Sequence, residues 1–259
     1  MCEPCEPTDQ PKKQKRGAEA FFFSRGPGTY RVSKPLPVEA RQKLVGLLAA
    51  ADVTSGMVLL RGGVSACRND TDHEELFRQE SYFAYLTGVL EPDCWATIEL
   101  PSGRSTLFVP RLGPEYAIWM GEIKSADAFR QRYHMDKAAY TDELVEVVQA
   151  ALTECAPSAA IHVMSGTNTD SGANLAESLP TTKGVPKGAR VVDDVLYDVL
   201  AECRTCKSAA ELDLMQYVSW VTSAAHVEVM REVRRDVTPE VMWQAGFGIP
   251  PTPIPSPTS

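Results

Sequence analysis

The sequence predicts an α/β fold with strands and helices in mixed order, and three observations carry that prediction. From Val38 to about Asp52, residues Ala40, Leu44, Leu47 and Leu48 are spaced to share one helix face. The apolar run from Gly56 to Gly62 is short and bounded by glycines, as a buried strand is. Ser208-Ala-Ala-Glu211 forms a capping box, and the helix it opens, to about Arg235, aligns Leu214, Val218, Val221, Ala225 and Val229.

The elements between these follow from local chemistry. Tyr82 to Gly88, Cys94 to Leu100 and Ser105 to Pro110 are rich in aromatic and apolar residues. Turn residues Pro92 and Pro101-Ser-Gly103 separate them, so they are expected as a meander of strands. Thr141-Asp-Glu-Leu144 offers a capping hydroxyl and first-turn acids for a helix through about Glu154. Ala159 to Met164 is expected as a strand, and a helix should start near Asp193-Asp194 and run toward Glu202. Thr238-Pro239-Glu240 has the form of a further helix start, which the prolines between Pro250 and Pro257 cut short. Proline gathers at both ends of the chain, which therefore read as tails.

With 259 residues, Lys+Arg 26 against Asp+Glu 34, and 44% hydrophobic residues, the composition is that of a globular protein; collagen-like and wholly disordered classes are excluded. The apolar run Val45 to Ala51 falls far short of the roughly 20 residues of a membrane helix, so no membrane partner is expected. Met1-Cys-Glu-Pro-Cys-Glu-Pro7 lacks the basic head and apolar stretch of a signal peptide, which points to the cytoplasm. The net charge of -8 weighs against nucleic acid, and Lys12-Lys-Gln-Lys-Arg16 is read as a solvated arm. The odd set of 7 cysteines is expected to be free thiols.

Motifs of catalysis mostly fail on inspection. Gly26-Pro-Gly28 lacks a third glycine, since Arg31 stands in its place, and no strand is expected ahead of it. His73-Glu74-Glu75 begins like a zinc-protease helix, but the second histidine is missing, so a surface turn is expected. The pairs Cys2/Cys5 and Cys203/Cys206 show no sign of meeting, and His134, His162 and His226 are isolated from one another. The acids Asp70, Asp72, Glu74 and Glu75 crowd one turn where water can solvate them. Gly166 to Gly172 reads equally as a structural connection or a ligand loop. Between Arg111 and Ile123, Trp119 and Met120 stand next to Gly121 in a stretch without strong periodicity, making Trp119 a candidate contact residue.

Several blocks occur together in one order. They are Leu76-Phe-Arg-Gln-Glu-Ser-Tyr-Phe83 with Thr87-Gly88 and Glu91-Pro92, and Ser105-Thr-Leu-Phe-Val-Pro-Arg-Leu112 followed by Trp119-Met-Gly121. Asn168-Thr-Asp-Ser-Gly172, Glu211-Leu, Ala225-His226 and Glu228-Val-Met230 complete the set. From about residue 68 to 243 the sequence thereby resembles prolidase, the Xaa-Pro dipeptidase of the pita-bread metallopeptidases. The resemblance implies a mixed β-sheet flanked by helices, the creatinase-like N-terminal domain, over residues 36–195. Residues 196–245 would then be a linker and the opening helices of a catalytic domain, between tails at 1–35 and 246–259. In the complete family enzyme two aspartates, a histidine and two glutamates hold two manganese ions, and the chain is expected to end before the first of them. It would bind no metal of its own and be inactive alone: the N-terminal, non-catalytic part of such an enzyme. The alternative is a free-standing regulatory or dimerisation module pairing with a full-length prolidase. Homodimers or such heterodimers are the implied partners, and Trp119 is the one substrate contact carried over, reaching in trans into the partner's active site. His226 matches a family position without a catalytic role.

Overall fold

The computed structural model describes residues 22–23, 30–33, 36–155, 159–172 and 185–232. Cys2, Cys5, the basic run at 12–16, Gly26-Pro-Gly28, the helix start at Thr238 and the terminal proline run lie outside these residues. The chain divides into two compact units, Lys34–Cys206 and a second made of Met1–Ser33 with Lys207–Ser259. Within the stretch expected as a tail, β1 (Phe22–Phe23) and β2 (Val32–Ser33) pair as a short antiparallel ribbon.

The larger unit opens with α1 (Leu36–Ala50), whose buried positions include Ala40, Arg41, Leu44 and Leu48. Its start lies ahead of the expected Val38, because Pro37 fits a first turn where no intrahelical N–H is needed. β3 (Gly56–Arg61) is the apolar run read from sequence; it lies inside the sheet, antiparallel to β4 (Trp95–Leu100) and parallel to a later strand. β4 turns through Pro101 to Arg104 into β5 (Ser105–Val109), with Gly103 at φ 72°.

The expected strand at Tyr82 to Gly88 is instead a helix, α2 (Ser81–Thr87). The Glu80 carboxylate accepts the Tyr82 and Phe83 N–H groups at 3.0 and 2.7 Å, satisfying two orphan donors of the first turn. Phe83, Leu86 and Thr87 are buried at helical spacing, and Gly88 closes the helix in the left-handed region. Burial of one face at a period near 3.6 outweighs the β preference of the aromatic residues.

Two short helices, α3 (Tyr116–Met120) and α4 (Ala126–Tyr133), follow β5 in a stretch whose sequence pattern predicts no element. They lead to β6 (Lys137–Tyr140), parallel to β5. A single 3-10 turn, Thr141–Glu143, then passes into α5 (Leu144–Glu154). Here the flanking residue is Tyr140, whose N–H is accepted by Glu143 at 3.0 Å, rather than a Thr141 hydroxyl cap. β7 (Ala160–His162) runs beside β3, β8 (Val191–Val192) beside β7, and α6 (Leu196–Thr205) completes the unit. The order β6-β5-β4-β3-β7-β8 makes a six-stranded mixed sheet flanked by helices, as expected.

One face of this sheet packs Met57, Leu59, Trp95, Phe108 and Ile161 against Leu144 and Val148 of α5. Val58, Leu60, Ile98 and Leu107 point the other way by strand alternation and are buried as well, so both faces are covered. Gly56, at φ 104°, is held against β7 so tightly that a Cβ there would lie 2.1 Å from the Ala160 carbonyl oxygen.

In the second unit, α7 (Ala209–Glu232) begins at the predicted capping box: Ser208 N–H donates to Glu211 at 2.7 Å and Glu211 N–H to Ser208 Oγ at 3.3 Å. Tyr217 stacks on Tyr30 with ring centroids 4.8 Å apart. Among the described side chains of α7 none is buried, and Leu212, Met215, Val218 and Met230 are exposed. Among the described residues no helix is long and apolar enough to cross a membrane.

Candidate functional site

The segment that carries Trp119 leaves β5 at Pro110 and projects from the larger unit. Gly113, Pro114 and Glu115 supply the carbonyls that accept the first three N–H groups of α3, at 3.0 to 3.2 Å. Gly121 ends the helix at φ 81°, donating its N–H to Ala117 at 3.1 Å. None of the five residues of α3 is buried: Trp119 is 85% exposed, Ile118 78% and Met120 67%. Tyr116 and Leu112 on the same segment are exposed as well. A cluster of large apolar groups held in water forgoes burial of roughly 1.5–3 kcal/mol each, the signature of a contact surface rather than of a core.

The root of this segment is polar and ordered. Arg111 Nε donates to Asp142 Oδ2 at 2.8 Å, and its Nη2 to Glu143 Oε1 at 2.9 Å and Asp142 Oδ1 at 3.3 Å. The guanidinium carbon lies 3.8 Å from the Tyr140 ring centroid. The bond from Arg111 holds the Asp142 carboxyl below its ordinary value, and the bond to Asp142 raises the Arg111 guanidinium in turn.

Beneath the far end of α4, Arg41 is almost wholly buried. Its Nη1 donates to the Leu86 carbonyl at 2.8 Å and its Nη2 to the His134 carbonyl at 2.7 Å, so one cation closes the C-terminal ends of α2 and α4. Burial lowers the Arg41 pKa to about 10, with Asp136 pulling it back up. A cavity of about 330 Å³ adjoins it, bordered by Gln42, Ser102, Arg104 and Asp136. A smaller one of about 150 Å³ lies between α5 and the sheet; Glu99, one of its walls, pairs with Arg104 at 2.6 Å. Both cations thus have structural partners.

The remaining candidates stay apart. His73 lies in an exposed turn closed by the Cys67 to Glu74 bridge, not on a helix, and Asp70, Asp72, Glu74 and Glu75 line the same exposed turn. His134 caps α4 in the left-handed region, His162 is buried on β7, and His226 is exposed on α7. The described cysteines are free thiols; burial pushes Cys94 up to about 12 and raises Cys203, which leaves both unreactive. Asn168 accepts the Asp170 and Ser171 N–H groups at 2.9 and 3.0 Å, a local turn. Among the described residues no three His, Cys, Asp or Glu side chains gather to hold an ion, so they do not fit a pair of metal ions. Sequence reasoning singled out Trp119 but not Arg111; the acids that meet Arg111 lie more than 30 residues away in sequence, and no local pattern joins them.

Residues 38–161 match the family described as Aminopeptidase P, N-terminal domain. Over 214 residues the chain is 39% identical to the Xaa-Pro dipeptidase of Pongo abelii, covering 82% of this chain and 42% of that protein. The Homo sapiens Xaa-Pro dipeptidase is 38% identical over the same coverage. The chain therefore spans about two fifths of the length of these curated relatives. Among solved structures, the low-pH form of aminopeptidase P from E. coli superposes with a TM-score of 0.62 at 20% identity, covering 84% of this chain and 49% of that one. The aminopeptidase PepP of Pseudomonas aeruginosa gives 0.61 at 21%, covering 81% and 47%; these two show the fold alone.

Proposed function

Residues 38–161 belong to the aminopeptidase P N-terminal domain family, and from that premise we propose that this chain is the N-terminal, non-catalytic part of a Xaa-Pro dipeptidase-like manganese metallopeptidase. Its working surface is the α3 segment. The observation that supports this most directly is the exposure of Trp119 on a helix without a buried residue, in a chain whose relatives carry more than half their length elsewhere.

In this reading the metal chemistry belongs to residues outside the described set, since those present offer no donor cluster. What the chain supplies is the rim of a partner subunit's active site. An indole presented on a short helix can lie over a bound Xaa-Pro dipeptide, where its apolar face suits a pyrrolidine ring and its area excludes water, while Nε1–H remains available as a donor. Tyr116, Ile118 and Met120 would line the seam around it, as the near-neutral surroundings of a hot spot do. The experiment is glycyl-proline hydrolysis by the purified chain with added manganese, alongside calorimetric titration of the metal. The expected outcome is no turnover and no tight pair of ions; turnover that survives removal of contaminating peptidases would overturn the proposal.

A further inference from the structure

An exposed five-residue helix has no core to hold it, and α3 must be oriented by something else. The chain leaves it at Gly121, where a Cβ would meet no atom within 4 Å, so the downstream end is open. Upstream, four residues separate it from Arg111, and Pro114 among them stiffens that stretch by fixing φ. Arg111 itself is fixed three ways: to Asp142, to Glu143, and face-on to Tyr140. All three partners belong to β6 or to the 3-10 turn after it, a frame anchored by the pairing of β6 with β5.

We propose that Arg111 is the positioning residue for Trp119: its forked ion pair and its stacking on Tyr140 set the direction in which α3 presents the indole. The side chains of this cluster are about half exposed, and ion pairs of that kind add little to global stability. A planar fork that is also stacked does restrict direction, and a lysine cannot reproduce it, because an ammonium is a point charge on a flexible stem. Arg111 therefore orients the segment without stabilising the fold. Its consequence for catalysis rests on the reading of Trp119 as a contact to a partner's site.

The test uses the full 259-residue chain labelled with 5-fluorotryptophan, which reports 4 tryptophans; W119F assigns the Trp119 resonance. In R111A, and independently in D142N/E143Q, the Trp119 resonance should move toward its position in denatured chain while the others and the melting temperature hold. R111K should fall between parent and R111A. A Trp119 resonance unmoved in both R111A and D142N/E143Q overturns the proposal, and so does loss of dispersion in all the resonances, which would make Arg111 a residue of the fold. In assemblies with a full-length Xaa-Pro dipeptidase, R111A in this chain should raise KM and leave kcat. If no such assembly forms, the reading of Trp119 falls, while the fluorine spectrum alone decides on Arg111.

Discussion

Replacing Arg41 by methionine keeps most of the volume and removes the cation that closes two helices. Its two bonds, at 2.8 and 2.7 Å, are charge-assisted, and such bonds contribute roughly 1.5–3 kcal/mol each, about 3–6 together. Burial of the guanidinium opposes this by several kcal/mol; the lowering of its pKa to about 10 shows that opposition at work. Methionine relieves the burial cost but leaves the Leu86 and His134 carbonyls without their donor, so we expect a net loss of about 2–4 kcal/mol. Lysine reaches one carbonyl at a time and should lose about half of that. Urea unfolding followed by far-UV circular dichroism measures both: at a slope of about 2 kcal/mol per molar, the methionine variant's midpoint should fall by about 1–2 M with the slope unchanged. A midpoint within error of the parent would refute the assignment of Arg41 as the closure of α2 and α4.

Three further outcomes follow from the geometry. Gly56→Ala places a Cβ 2.1 Å from the Ala160 carbonyl oxygen at φ 104°, so the larger unit should lose about 3 kcal/mol or more in the same urea assay; a loss below about 1 kcal/mol would contradict the β3 and β7 register. Burial holds the His162 imidazole below its ordinary 6.5, the Ser55 backbone and Asp194 pulling it up and Arg190 pushing it down. The unfolded chain then takes the proton first, so this contribution is complete above 6.5 and is lost as pH falls through the lowered native value. His162→Gln should flatten that acid limb, and an identical pH profile in the variant would exclude His162 as its source. Hydrogen exchange should show α7, without a buried residue among its described side chains, far less protected than β3, β4 and β5, all buried except Arg61 at the end of β3; equal protection would require cover for α7 that the described residues do not supply.

Much of this fold was legible because local pattern and tertiary burial agree. β3 is apolar up to its last residue, Arg61, since both its faces are covered, and the Ser208 box announces α7 with two short-range bonds. α2 was misread because Tyr82, Phe83 and Tyr85 favour strands, while its determinants are a glutamate cap, outside the usual capping residues, and three buried side chains. β6 and β8, of four and two residues, exist through their pairing with β5 and β7 and carry too little pattern to be seen alone. α3 buries nothing, so it has no apolar period, and Trp119 drew notice through its chemistry and through resemblance. Arg111 was invisible, because its meaning appears only when Asp142 and Glu143 are brought beside it.

The most direct measurement of the central claim is the activity of a mixed assembly. Co-expression of this chain with a full-length Xaa-Pro dipeptidase should give a pair with one complete catalytic site, and the Trp119→Ala form of the chain should lower glycyl-proline kcat/KM at that site. A buried interface tryptophan costs roughly 2 kcal/mol when truncated, which converts to about thirtyfold, and since Trp119 is 85% exposed the isolated variant should unfold at the parent midpoint. A thirtyfold drop with unchanged stability is the predicted result; unchanged kcat/KM in a verified mixed pair, or full-length subunits that pair only with themselves, would contradict the account.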